Sequence, residues 1–210
     1  MGSTTWDQIY KDYQKGGEAY ATLSRGLEQD FMEFVESTSF PVKKAFDVGY
    51  GTGHYLVWLK TKGFKVDGID SSKMAHEMAV KAMGQDSLVL GSVYEYNLTK
   101  NTYGLVLSIH AIHHGMKHEV EKALTSVYEG LVSGGWIYLT LPKDNQRLDW
   151  KTHQTSKLIA PGTYAPTEGP EKDLPHSFYT EDEIKETFRK YKKLSYKIGE
   201  RSGWTITAQK

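Results

Sequence analysis

The chain has 210 residues, no cysteine, and 26 basic against 26 acidic side chains. That length suits one domain with a substantial core; the balanced charge lacks the broad basic footprint of non-specific nucleic-acid binding, and the absence of thiols excludes disulfides, thiolate metal sites and a cysteine nucleophile. The first residues hold no basic segment followed by an apolar core, and no stretch reaches the length of a membrane span, so a soluble cytoplasmic protein, monomer or homodimer, with a small-molecule partner and neither nucleic acid nor membrane is expected.

Residues 1–40 read as a helical cap made of two segments. Trp6, Ile9, Tyr10 and Tyr13 share one helical face, Leu27, Phe31, Phe34 and Val35 another, and Gly16-Gly17 separates them. Compact apolar runs at 45–48, 65–69, 88–90, 105–109 and 136–141 then alternate with helical patterns that open at His54, Ser72 and Lys117. Such alternation predicts an α/β fold in which helices wrap a parallel sheet. Ser71 and Ser72 are placed to cap the second of these helices, and Gly134-Gly135 reads as the turn into the fifth strand. Residues 142–179 carry most of the prolines and read as a long irregular insertion on the substrate side. Thr180 with Glu183 three residues later matches a capping box. Runs at 194–198 and 204–208 form an expected terminal antiparallel hairpin. No repeat or second boundary is visible, so residues 1–210 are expected to be one domain.

The segment Asp47-Val48-Gly49-Tyr50-Gly51-Thr52-Gly53 joins the first apolar run to a helix. Its glycines permit a tight turn and close approach of backbone to a ligand, with the Asp47 carboxylate beside it. Asp70, at the end of the second run, stands at the spacing of a carboxylate that accepts from ribose hydroxyls. A dinucleotide-binding turn wants a small residue where this chain has His54, which sets a nicotinamide-dependent oxidoreductase behind other adenosyl-binding folds.

With the acidic residue two positions before Gly-x-Gly-x-Gly and a closing hairpin, residues 45–209 resemble the class I S-adenosylmethionine-dependent methyltransferases. The resemblance implies a Rossmann-like seven-stranded, mostly parallel sheet with helices on both faces, a terminal antiparallel hairpin and an N-terminal helical lid. It implies S-adenosyl-L-methionine as cofactor, S-adenosyl-L-homocysteine as product, and in-line methyl transfer to a small acceptor. Asp47, Gly49, Gly51 and Gly53 then border the methionine part, and Asp70 takes the ribose, with Ser71 next to it. Ser92, where the family usually has an acidic residue, and Val93 stand near the adenine. Tyr50 occupies a usually small position from which its phenol is expected to narrow the pocket or touch the cofactor. The segment from Ser108 to His114 resembles the one lying along the cofactor and reaction centre, His110 meeting the cofactor through its backbone. The stretch from Ala160 to Thr180 resembles a small bacterial and archaeal branch with the layout of tellurite-resistance and thiol-modifying methyltransferases. A non-catalytic S-adenosylmethionine-binding regulatory module is the alternative reading.

Transfer from a sulfonium asks chiefly for alignment, and a base only where the acceptor carries a proton to be lost. His113, just after the fourth run, is the candidate base; Tyr164 and His176 in the 142–179 segment are the other catalytic candidates, with Glu168 and Glu171 near them. Arg147 and Trp150 are candidates for holding an anionic or aromatic acceptor, and Trp6, Tyr10, Tyr13 and Tyr20 for an aromatic lid that attracts the sulfonium. His110, His114 and His118 have an approximate helical spacing, but the first falls on a strand and no carboxylate cluster completes the set, so no metal is expected.

Overall fold

A computed structural model describes residues 5–13, 26–83, 87–143, 156–199 and 203–210. The expectations for Gly16, Gly17, Tyr20, Arg147 and Trp150 fall outside the described residues. Strands β1 (Lys44–Val48), β2 (Lys65–Asp70), β3 (Leu88–Leu90), β4 (Tyr103–Ser108) and β5 (Leu131–Leu141) run parallel, and β10 (Trp204–Gln209) enters antiparallel between β5 and β9 (Lys192–Ile198). The sheet order is β3-β2-β1-β4-β5-β10-β9. The chain leaves β1 in one direction and returns on its other side at β4. Between the carboxyl ends of those two strands lies the switch point, where open α/β sheets bind ligands.

Burial of both sheet faces explains why the inner strands are apolar runs rather than alternating ones. On one face Phe46, Val48 and Val106 pack with Val120, Ala123, Leu124 and Val127 of α5 (Lys117–Gly130), and with Ile184 of α6 (Glu181–Thr187) and Phe188 at its C-cap. Leu105 and Leu107 face the other way, toward Phe31 and Val35 of α2 (Gln29–Ser37), Leu56 and Leu59 of α3 (His54–Thr61) and Ala79 of α4 (Lys73–Met83). Spacings of three and four residues within each helix place these side chains on a single stripe. Helix α1 (Thr5–Tyr13) packs against α4.

Two segments depart from the sequence reading. Strand β5 begins at Leu131, so Gly134-Gly135 lies inside it, with a register irregularity against β4 between Tyr103 and Leu105. The 142–179 insertion is not irregular throughout: β6 (Ser156–Ala160), β7 (Thr163–Pro166) and β8 (His176–Ser177) form a second, antiparallel sheet. Pro161-Gly162 supplies the two-residue turn between β6 and β7, and Ala160 pairs with Thr163 across it.

The capping box forms as read, Thr180 Oγ1 accepting from the Glu183 amide at 3.2 Å and Glu183 Oε2 from the Thr180 amide at 2.8 Å. Thr180→Ala is expected to cost about 1 kcal/mol in urea unfolding, and an unchanged midpoint would show that the cap contributes nothing to α6.

Candidate functional site

The glycine turn is built as its residues require. Gly49, Gly51 and Gly53 have φ of 80°, 55° and 80°, a region open to glycine and strained for other residues. A Cβ on Gly49 would lie 2.2 Å from the Ala111 Cβ, so the turn touches the loop that follows β4. The turn is tied to the end of β2 by Asp70, whose Oδ2 accepts from the Gly51 amide and Oδ1 from the Ser72 amide, both at 2.8 Å. Burial raises the Asp70 carboxyl above its ordinary value in spite of these two bonds.

Asp47, only 2 % exposed, receives no hydrogen bond from the described residues. Burial first, and then the charge of Asp70, push its carboxyl well above the usual carboxylate range. A carboxyl with a raised folded-state value favours the folded state below its unfolded value of about 3.9, and that advantage is lost as pH rises through the folded value. Asp47→Asn is therefore expected to raise the melting temperature of the ligand-free protein at neutral pH, by a margin that shrinks toward pH 4. A margin independent of pH would mean that the ionised carboxylate is not the source of the cost.

Tyr50 corrects its expectation. Its side chain is 1 % exposed and passes over Gly68, where a Cβ would meet the ring at 2.8 Å. The hydroxyl bonds His76 Nδ1 at 2.6 Å and donates to the Val89 carbonyl at 3.2 Å. The phenol is thus a core group beneath β2 and does not narrow the pocket. Of the two serines, Ser72 is the cap, its Oγ accepting from the Ala75 amide at 3.2 Å, and Ser71 is exposed. Ser92 Oγ accepts from the Tyr94 amide at 3.3 Å within the loop after β3, and Val93 packs partly buried against the core.

Helix α1 lies across both halves of the site. Asp7 Oδ1 accepts from Ser72 Oγ at 2.8 Å and from the Met74 amide at 3.2 Å, adding a carboxylate to the N-terminus of α4. A Cβ on Gly51 would lie 2.6 Å from the Tyr10 hydroxyl. Trp6 meets His114 edge to face, with ring centroids 4.7 Å apart.

The loop after β4 separates its histidines. His110 has φ of 54°, its amide donates to Thr140 Oγ1 at 2.8 Å, and its Nε2 pairs with Oε1 of buried Glu28 at 2.5 Å. His118 is exposed on α5. The set with helical spacing is therefore not assembled; the fold joins His113 and His114 to His176 instead. Ser177 makes that junction, its amide donating to the His113 carbonyl at 2.9 Å and its Oγ to the Gly115 carbonyl at 2.7 Å. His114 Nδ1 bonds the Ala111 carbonyl, His176 Nδ1 the Leu174 carbonyl, and His176 Nε2 bonds Glu171 Oε2, each at 2.9 Å. His113 is 7 % exposed and its Nδ1 has no hydrogen-bond partner among the described residues. Burial and then neighbouring histidines hold His113 well below the usual imidazole range and push His114 down to about 3, so both are neutral at physiological pH. Burial opposes ionisation of Glu171, but the His176 hydrogen bond and the neighbouring His114 and His176 hold it below its ordinary value. Tyr164 pairs with His176 across β7 and β8, which puts both on one face of the small sheet. Glu168 is exposed.

Asp7 and Glu28 are site residues that sequence reasoning missed. Nothing local marks them, because each meets its partner only through tertiary packing.

A methyltransferase-domain family profile matches residues 46–139, the span from β1 through most of β5. An uncharacterized methyltransferase of Oceanobacillus iheyensis is 25 % identical over 98 % of this chain and 94 % of its own length. A crystal structure of a Pyrococcus horikoshii protein superposes with a TM-score of 0.72 at 17 % identity, covering 100 % of both chains. An amino pentose methyltransferase of Micromonospora echinaspora involved in calicheamicin biosynthesis, with S-adenosylmethionine bound, gives a TM-score of 0.66 at 15 % identity over 100 % of this chain and 98 % of that one.

Proposed function

We propose that the chain is a class I S-adenosylmethionine-dependent methyltransferase whose acceptor is a small molecule, methylated by in-line displacement on a face built by His113, His176 and Tyr164. The observation that carries this reading is the contact between Gly49 and Ala111, which sets the glycine turn against the loop bearing His113.

The residues present suit the cofactor. Asp47 is a buried carboxylate with no donor among the described residues, suited to the ammonium of a methionine moiety. Gly49, Gly51 and Gly53 hold the turn in positive φ, and the Tyr10 hydroxyl over Gly51 sets α1 against the backbone that the cofactor would approach. Each Asp70 oxygen accepts one amide and retains a lone pair for a ribose hydroxyl. Ser71, Ser92 and Val93 border the adenine side, and His110, oriented by Glu28, faces the transfer region. When bound, the cofactor supplies a methyl group on a cationic sulfur. What remains for the chain is alignment, which contributes of order 7 to 11 kcal/mol in favourable intramolecular cases, and a place for the acceptor's proton.

Enclosure favours a small acceptor. His113 and His176, the latter on β8 of the small sheet, are 7 % and 2 % exposed, a depth that a polymer backbone does not reach without opening the fold. The small-molecule acceptor of the amino pentose methyltransferase points the same way.

The test is to incubate the protein with S-adenosylmethionine and a panel of thiols, amines, phenols and alcohols, and to follow S-adenosylhomocysteine by mass spectrometry. Product formation that depends on one class of acceptor is expected. No turnover with any member, beside methylation of a macromolecular fraction, would overturn the small-molecule reading.

A further inference from the structure

Three imidazoles from two distant segments converge at a point that the glycine turn does not use. One ring nitrogen of each of His113, His114 and His176 lies within 4.8 Å of the other two. A carbonyl contact orients the His114 ring: with Nδ1–H donating to Ala111, its Nε2 lone pair turns away from the backbone, whereas His176 is held at both nitrogens, Nδ1 by the Leu174 carbonyl and Nε2 by Glu171, so an ion there takes the place of the proton shared with Glu171. This carbonyl-backed arrangement fixes the tautomer of metal-binding histidines. Glu171 adds a carboxylate oxygen 2.9 Å from His176 Nε2. The third imidazole, His113, is buried with a nitrogen unpartnered among the described residues, an unfavourable arrangement unless a ligand completes it. Trp6 covers His114 from the α1 side, providing the apolar wall that limits solvent access to such sites.

We propose that His113, His114 and His176, with Glu171 beside them, bind a divalent transition ion of the zinc type, and that this ion holds the methyl acceptor through an oxygen, nitrogen or sulfur donor. Three nitrogens with metal bonds of about 2.0–2.1 Å leave a tetrahedral ion one further position. Closing on the ion draws the nitrogens to about 3.3 Å from one another, a movement within reach of small side-chain rotations. The ion-binding part stands on the geometry alone; the acceptor part rests on the methyltransferase reading.

The experiment uses the full chain, free of any histidine tag, stripped with a chelator and dialysed. Zinc chloride and S-adenosylhomocysteine are titrated separately by calorimetry, with zinc content after reloading measured by mass spectrometry. Saturable uptake of one zinc per chain is expected, weakened at least tenfold in His176→Ala and in Glu171→Gln and retained in His118→Ala, whose histidine is exposed on α5. Cobalt in place of zinc should show the absorption bands of a four-coordinate site. Absence of one-to-one zinc uptake by the unsubstituted chain, or equal affinity in His176→Ala, would overturn the ion site. Homocysteine-ligand binding without zinc uptake would end this proposal and leave the methyltransferase reading standing, whereas zinc uptake without that ligand would support the ion site and remove its assigned role in holding an acceptor.

Discussion

Replacing His113 by leucine is expected to reduce methyl transfer by about 10²- to 10⁴-fold, the range for loss of a positioned proton-transfer group, while the melting temperature stays equal to or above that of the parent. The two effects have one origin. His113 is 7 % exposed and its Nδ1 has no partner among the described residues, so the ligand-free protein carries the desolvation cost of a buried polar atom. An apolar side chain of comparable size removes that cost. It also removes the one imidazole of the three-histidine cluster that is hydrogen-bonded to neither a backbone carbonyl nor a carboxylate among the described residues. A histidine kept for packing behaves otherwise: its loss lowers stability, and activity falls only in step with the folded fraction. Initial rates of S-adenosylhomocysteine formation, thermal melts and calorimetry with the same product separate these cases. An unchanged rate, or a fall in product affinity as large as the fall in rate, would remove His113 from the acceptor side. The expected pattern is a loss in kcat with product affinity held within about twofold, because the substitution touches an interaction made after the cofactor is seated.

The parts of this fold that could be read from sequence are those whose cause is local. Gly49, Gly51 and Gly53 announce positive φ wherever they meet a strand end, and all three adopt it. Thr180 and Glu183 cap one another within four residues. The apolar runs give the inner strands because burial on both faces leaves no room for polar alternation. Reading failed where the cause is tertiary. His113 and His176 are 63 residues apart and meet because Ser177 bonds the carbonyls of His113 and Gly115, and periodicity carries no trace of that junction; helical spacing pointed to His118, which is exposed. Tyr50 was placed at the pocket by its position in the turn, yet the turn aims its side chain back beneath β2. Gly68 in the middle of β2 was the available signal, since a glycine inside a strand often marks close approach of another group. The small sheet was hidden by its short strands, although Pro161-Gly162 between two apolar segments has the chemistry of a hairpin turn.

Asp70→Ala and Asp70→Asn are both expected to weaken binding of S-adenosylhomocysteine by about 1–3 kcal/mol, a loss of roughly 5- to 150-fold, and the asparagine variant is not expected to be the milder. The reason lies in the two amides already held by the carboxylate. Gly51 donates to Oδ2 and Ser72 to Oδ1, so both oxygens face N–H donors before any ligand arrives. An asparagine offers one acceptor and one NH₂ group, and either flip of the amide sets a donor against a donor. One bond is kept and the other is lost with its amide opposed, so either Gly51 or Ser72 is released from the end of β2. Alanine removes both acceptors but leaves space for water, which can satisfy one or both amides. Hydrogen exchange at Gly51 and Ser72 in the ligand-free variants should accelerate together with the loss in calorimetric affinity. Fast exchange with unchanged affinity would mean that Asp70 only braces the turn and that the ribose is held elsewhere. Slow exchange with lost affinity would assign it to the ribose alone. Both losses are expected, because the two oxygens that fix the turn are also the proposed acceptors for the ribose.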